Sequence, residues 1–330
     1  MSNFALISRI YNNQYKMDND IMEHSEQKGM VSLEAVQAAR LLRNSGQIIL
    51  QGAPGCGKTY FTTELAVYMC DGEVPVTRPL LKQRYRELQR EGRIGFTTFH
   101  QSLDYEEFVE GLKPDTDSIA ADGTMRFKVK PGIFKRMCTA AEAYNDGADN
   151  RPYILIIDEI NRANVSKVLG ELITLLEKSK RLGAEDEFTV TLPYSGDTFG
   201  VPDNLYIIGT MNTADRSLGY IDYAVRRRFA FMTLEAQSYA IREYYNDRGE
   251  LMDKEMKLFT DIRNLIKNNL NPDFDLKDIM VGHSYFLAKT EEDYDMNLDY
   301  KIRPLLEEYL RDGIIIDNGE MKTAIANIGK

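Results

Sequence analysis

Three short apolar runs stand out along the chain: Gln47-Ile48-Ile49-Leu50, Tyr153-Ile154-Leu155-Ile156-Ile157 and Leu205-Tyr206-Ile207-Ile208-Gly209. Each is too short for a core helix and too uniformly apolar for a strand with one wet face. They predict strands of a parallel sheet buried on both sides. Between them the apolar positions take the helical period. Ser32-Leu33-Glu34 is placed to cap a helix running through Leu42 and stopping before Gly46, and Tyr60–Met69 is predicted to form a second. Arg78–Arg93 brings Leu81, Tyr85 and Leu88 to one helix face, Phe134–Tyr144 is a further helix, and Val165, Val168, Leu169, Leu172, Ile173 and Leu176 form the stripe of a core helix.

Ile94–Phe99 reads as another strand. Lys113–Asp122 reads as polar and turn-rich, with Phe127-Lys128-Val129 alternating like a short hairpin strand. Phe188–Leu192 and Thr198–Val201 flank Tyr194-Ser195-Gly196-Asp197 as a β-hairpin. Alternating strands and helices predict an α/β class: a three-layer αβα domain around a parallel sheet. Past Glu235 the pattern is helical only, with Phe259, Ile262, Leu265 and Ile266 marking one helix and Pro272, Gly282 and Pro304 as punctuation. The expected organisation is a short N-terminal arm (1–35), a core (36–234) carrying a basic helix (78–93) and a β-hairpin (188–201), and a mainly helical lid (235–330). In the arm, Phe4, Ile7, Tyr11 and Tyr15 share a helix face that would pack on the core.

Composition narrows the partners more than the fold. A net charge of −10 excludes a basic nucleic-acid-binding shell and leaves only a local strip. Arg78, Lys82, Arg84, Arg86, Arg90 and Arg93 in the basic helix are that strip, either a solvated face or a contact for nucleic-acid phosphates or an acidic partner. Cys56, Cys70 and Cys138 are too scattered for a disulfide framework, and three histidines are too few for a multi-histidine metal centre. His100, after a threonine-rich strand end, reads as a buried structural histidine or a functional one. No apolar run approaches the roughly 20 residues of a membrane span, so a cytoplasmic location away from membranes is expected.

The chemistry centres on Gly52-Ala53-Pro54-Gly55-Cys56-Gly57-Lys58-Thr59, followed by Tyr60. Strand, glycine-rich loop and helix make a cradle in which backbone N–H groups, a helix N-terminus and the Lys58 charge meet phosphates. Thr59 puts a hydroxyl where nucleotide-bound Mg²⁺ would sit. The Tyr153–Ile157 run ends in Asp158-Glu159, and acids at the tip of a buried strand are costly unless they hold or activate something. Asp158 is therefore the expected Mg²⁺ partner of Thr59, and Glu159 the residue that polarises the attacking water. Asn212, at the end of the next buried strand, can position that water. If roughly 219–227 is helical, Arg226, Arg227 and Arg228 lie away from their own chain's phosphates, either on a subunit edge within reach of a neighbour's γ-phosphate or as a structural salt-bridge cluster.

This order of parts resembles the AAA+ superfamily, and within it the McrB family, the motor subunits of modification-dependent restriction systems. The resemblance is carried by Thr98-Phe99-His100-Gln101-Ser102 with Tyr105-Glu106-Glu107-Phe108, by Asp158-Glu159-Ile160-Asn161-Arg162-Ala163-Asn164, by Met211-Asn212-Thr213-Ala214-Asp215-Arg216-Ser217, and by Gly282-His283-Ser284-Tyr285-Phe286. It implies a ring-forming, hexameric NTPase using GTP or ATP with Mg²⁺, GTP being favoured in the family. It also implies an McrC-like nuclease partner and work on DNA. Asn212 and Asp215 would belong to the loop that tunes hydrolysis, and Arg227 and Arg228 would act in trans. Arg303 is the candidate lid arginine. With about 45 residues before the P-loop, target recognition is expected in another subunit or in the partner. The competing readings are a MoxR-like remodeller of protein complexes and a nucleotide-gated assembly module with little turnover.

Overall fold

The structure is a computed structural model and describes residues 28–119, 125–144, 150–214, 221–246 and 249–329. The arm's Phe4, Ile7, Tyr11 and Tyr15, the signature residue Asp215 and its neighbours Arg216 and Ser217 lie outside them. The three apolar runs become the inner strands of one parallel sheet. We number its strands β1 (Gln47–Gly52), β2 (Ile94–Thr98), β3 (Tyr153–Asp158), β4 (Leu205–Asn212) and β5 (Ala230–Thr233). Their spatial order is β5-β1-β4-β3-β2, all parallel.

Successive residues of a strand point to opposite faces, and the sheet splits its side chains accordingly. Ile49, Leu155, Ile157 and Ile207 enter one apolar cluster, which holds the helix Ile133–Glu142 and the Val165–Leu176 segment. Ile48, Leu50, Ile154, Ile156 and Ile208 enter the other, covered by α1 (Leu33–Ser45), α2 (Lys58–Asp71) and α3 (Arg78–Arg90). This gives the three-layer αβα arrangement. α1 starts where the sequence predicts: Ser32 accepts a hydrogen bond from the Ala35 N–H, and Gly46 closes the helix at φ +79°. Residues 236–328 contribute a separate, mainly helical apolar cluster around the helix Glu250–Asn269.

One buried cation pins the far end of the sheet from the P-loop. Arg181 is fully buried and donates to the carbonyls of Leu176, Pro202 and Leu205 and to Gln47 Oε1. Gln47 in turn donates to Leu176 O and Arg228 O. Burial pushes the Arg181 pKa down.

Several local expectations need correction. Lys113–Asp122 is not simply turn: Glu110–Ile119 is a strand, antiparallel to Met125–Pro131. The pair belongs to no larger sheet, so neither face had to be apolar, and the alternation that reveals a strand is missing from Glu110–Ile119. The Val165–Leu176 stripe is helical only to Leu169, and beyond Gly170 (φ +55°) it tightens into a 3₁₀ turn. His100 is exposed rather than buried.

Half of the cations of the basic segment are committed within the chain. Arg84 pairs with Asp71 at 2.8 Å and Glu91 at 2.9 Å, and Arg93 donates to Cys70 O. The Arg78 guanidinium lies 3.4 Å over the Tyr60 ring. Lys82, Arg86 and Arg90 remain as its exposed cations.

Candidate active site

The P-loop leaves β1 and turns into α2 through two glycines in the left-handed region, Gly55 (φ +78°) and Gly57 (φ +82°), where a Cβ is disfavoured. Gly57 is also the N-cap of α2 and carries no side chain to satisfy the first helical amides. Those donors are left to bind an anion. Lys58 is buried, with Nζ donating to Gly52 O and Ala53 O at 2.9 Å each. Burial lowers its pKa, opposed by the nearby Cys56, Glu159 and Asp158. Burial likewise pushes the Cys56 thiol up. Thr59 is exposed at the head of α2, and Tyr60 is exposed beyond it.

Sheet register brings the remaining groups to this loop. Asn212 at the end of β4 is paired with Gly52, and the next residue's N–H (Thr213) donates to Gly52 O at 3.1 Å. On the other side of β4, strand β3 delivers Asp158 and Glu159. Ligand sites of open parallel sheets lie at the carboxyl ends of the strands, and all of these side chains are there.

Asn212 Nδ2 donates to Glu159 Oε1 at 2.7 Å. Glu159 Oε2 is buried and accepts no hydrogen bond from any described residue, with Arg162 Nε 3.3 Å away. A carboxylate fixed at one oxygen by Asn212, whose other oxygen is paired with Arg162 but accepts no hydrogen bond, suits a group that takes a proton from water. Asp158 Oδ1 accepts from the Thr210 hydroxyl at 2.5 Å. The donor set of Thr59 hydroxyl and Asp158 carboxylate is all oxygen, as Mg²⁺ requires.

The lid reaches the site through a segment to which no role could be given from sequence. Gly282 lies so close to the P-loop that a Cβ would sit 2.1 Å from the Gly55 carbonyl carbon and 2.3 Å from Pro54 O. The Ser284 N–H donates to Gly55 O at 3.1 Å, and His283 Nδ1 accepts from the Gln237 N–H at 3.3 Å. Burial lowers the His283 pKa, which keeps the ring neutral beside the loop. A cavity of 730 Å³ opens beside this contact, lined by Gly55, Tyr285, Lys301, Glu308 and Arg311 among others. Arg303 is held elsewhere, by Asp299 and Ile328 O within the lid. It is therefore a bracing side chain of the lid, not one reaching toward the P-loop.

The arginine cluster divides. Among the described residues the preceding helix is a single turn, Tyr223–Arg226, capped by Asp222. Arg228 lies past its end and folds inward, 2.7 Å from Glu177 and donating to Ala224 O. Its side chain is 5% exposed, which does not fit the expected projection toward a neighbour. Arg227 is 68% exposed, with Glu177 at 3.6 Å. Arg226 lies over the Phe231 ring.

Sequence reasoning missed Thr210 and Arg162 beside the acids. Thr210 carried a signal: it is a polar residue inside an apolar run that ends at the site.

Residues 47–229 match the AAA domain family, dynein-related subfamily, and residues 256–315 match the McrB alpha-helical lid domain. The McrB subunit of the type IV methyl-directed restriction enzyme EcoKMcrB from Escherichia coli K12 is 36% identical over 282 residues, covering 80% of this chain and 54% of that protein. The YdiS component of the type II restriction enzyme BsuMI from Bacillus subtilis 168 is 29% identical over 205 residues, covering 58% of this chain and 57% of that one. The chain spans about half the length of these curated relatives.

Proposed function

This chain belongs to the AAA domain family in its McrB-like branch, and from that premise we propose that it is the nucleotide-driven motor of a DNA-restriction assembly. The observation that carries the reading is the convergence of Lys58, Asp158, Glu159 and Asn212 at the carboxyl ends of three adjacent parallel strands. The reaction is attack of water on the γ-phosphoryl group of GTP or ATP. Glu159 Oε2 accepts the water's proton, and Asn212 fixes the Glu159 carboxylate and helps orient the water. Lys58 and the N–H groups of Gly55, Cys56 and Gly57 neutralise the phosphate charge. Thr59 and Asp158 would hold Mg²⁺, which supplies further charge neutralisation on the phosphates. Ala53, Pro54 and Tyr60 complete the loop walls, and Asp215 belongs to the signature loop after Asn212.

Among the described residues, Arg162 is the arginine paired with Glu159, at 3.3 Å. Arg227 is exposed and only loosely paired, which supports its action in trans on a neighbour's phosphates in a ring, hexameric in our reading. The family resemblance supports GTP over ATP and an McrC-like nuclease as partner, and the names of both relatives support a restriction system, with DNA as its target.

The test is steady hydrolysis of GTP and ATP with Mg²⁺, alone and with DNA and an McrC-like nuclease subunit. Faster GTP turnover, raised further by that subunit, is expected. ATP turnover indifferent to DNA and to the subunit would favour a remodeller of protein complexes instead. Mixing Arg227→Ala with Lys58→Ala chains examines the ring: each lacks a different half of a shared site, so mixtures should recover part of the activity. Co-assembled mixtures that recover none at any ratio would refute action in trans.

A further inference from the structure

We propose that Thr210 is a positioning residue that sets both catalytic carboxylates, holding Asp158 by the oxygen turned away from the metal and fixing the backbone turn that aims Glu159. The inference rests on the reading of Asp158 as a Mg²⁺ ligand and goes beyond it to the group that orients it.

Thr210 is the sixth residue of β4 and is 2% exposed. The β3–β4 ladder ends one residue earlier, at Gly209 paired with Ile157. Past that point the Glu159 N–H has no strand carbonyl opposite. It donates to Thr210 Oγ1 at 3.1 Å, while the Thr210 hydroxyl donates its one proton to Asp158 Oδ1 at 2.5 Å. A hydroxyl can do both because it has one donor and two acceptor sites. With Oδ1 engaged, Oδ2 is the oxygen left to the metal.

The same hydroxyl accounts for the conformation of Glu159, which is in the left-handed region (φ +55°, ψ +45°) without being glycine. Such a residue is strained and persists only where its surroundings hold it. Thr210 holds the N–H, and Asn212, two residues along the same strand, holds Oε1. One strand end thus fixes Glu159 from both sides. Threonine suits the place because its β-branch restricts the side-chain rotamers in a strand.

The test uses the full chain bound to a non-hydrolysable GTP analogue, with Mn²⁺ in place of Mg²⁺ titrated by electron paramagnetic resonance. Thr210→Val keeps shape and removes the hydroxyl, Thr210→Ala removes it with less bulk, and Thr210→Ser restores it. The expected result is Mn²⁺ affinity about tenfold weaker in Thr210→Val and Thr210→Ala but within threefold of the parent in Thr210→Ser. Metal-free nucleotide affinity should stay within twofold in all three, and kcat should fall by tenfold or more only without the hydroxyl. Unchanged Mn²⁺ affinity in Thr210→Val or Thr210→Ala, or equal loss in Thr210→Ser, overturns the proposal. Asp158→Asn separates the two layers. If it weakens Mn²⁺ and the hydroxyl-free variants do not, only the Thr210 role fails; if it too is unchanged, the Asp158 reading fails with it.

Discussion

Gly282→Ala is a one-carbon change on the lid whose effect falls on the P-loop. Gly282 has φ −62°, ψ +147°, a conformation any residue adopts, so no backbone strain is introduced locally. The added Cβ would instead land 2.1 Å from the Gly55 carbonyl carbon, 2.3 Å from Pro54 O and 2.4 Å from Gly55 O. Ordinary contact begins at about 3.4 Å, so lid and loop must separate by roughly 1.3 Å there. These are backbone atoms of a loop already held in left-handed turns, so they cannot swing aside as a side chain would. The separation would also stretch the Ser284 N–H to Gly55 O bond beyond hydrogen-bonding distance.

Overpacking of this kind costs about 1–3 kcal/mol. If the nucleotide-ready loop is the form that bears the cost, affinity drops by about five- to 150-fold. Titration with a fluorescent GTP analogue measures this directly, with Ser284→Ala as the comparison because it leaves the backbone contact intact. Gly282→Ala binding as tightly as the parent, with an unchanged unfolding midpoint, would refute the idea that the lid bears on the loop through this segment.

Three other outcomes are expected. Glu159→Gln should bind nucleotide normally and hydrolyse it about 10²–10⁴ times more slowly, by radiolabelled phosphate release; turnover near the parent's would remove Glu159 from the proton-accepting role. Glu255 is 1% exposed, accepts no hydrogen bond from any described residue, and burial pushes its pKa up to about 7 from 4.5. The folded chain therefore holds a proton that the unfolded chain releases between those values, so lid stability should fall by about 3 kcal/mol as pH rises from 4.5 through 7 and level off above. Glu255→Gln should abolish that fall and raise the urea midpoint at pH 8, and a parent midpoint flat across the range would count against it. Arg181→Ala should cost about 4 kcal/mol, since it leaves buried carbonyls unpaired and a cavity behind; a melting temperature within a degree or two of the parent's would show that the arginine is not needed there.

The parts of the site that a sequence can show are those whose chemistry is local. The P-loop is legible because loop geometry, glycine placement and helix start all lie within eight residues. Asp158 and Glu159 are legible because a buried strand cannot end in two acids without cause. The same logic made β3 and β4 visible, since strands buried on both faces are apolar throughout. Where burial did not constrain the residues, the pattern was silent: of the two-stranded ribbon, Phe127-Lys128-Val129 showed its alternation, whereas the polar Glu110–Ile119 strand resembled a loop.

What only the tertiary structure decided is what depends on two segments meeting. Charge and order in sequence made Arg227 and Arg228 equivalent; Glu177, some 50 residues earlier, draws one of them inward. The basic helix looked free until Asp71 and Glu91 were found on Arg84. Arg303 looked available to the P-loop until Asp299 and Ile328 were found to hold it, whereas the contact is made by Gly282 and Ser284. Thr210 drew no attention as one polar residue in a strand, because its meaning lies in the neighbouring strand's end. The sequence by itself determined which groups this protein has for phosphate chemistry. The packing of strand on strand and lid on loop decided which of them face one another, because hydrogen bonds and exclusion of atoms act over a few ångströms of space and not along the chain.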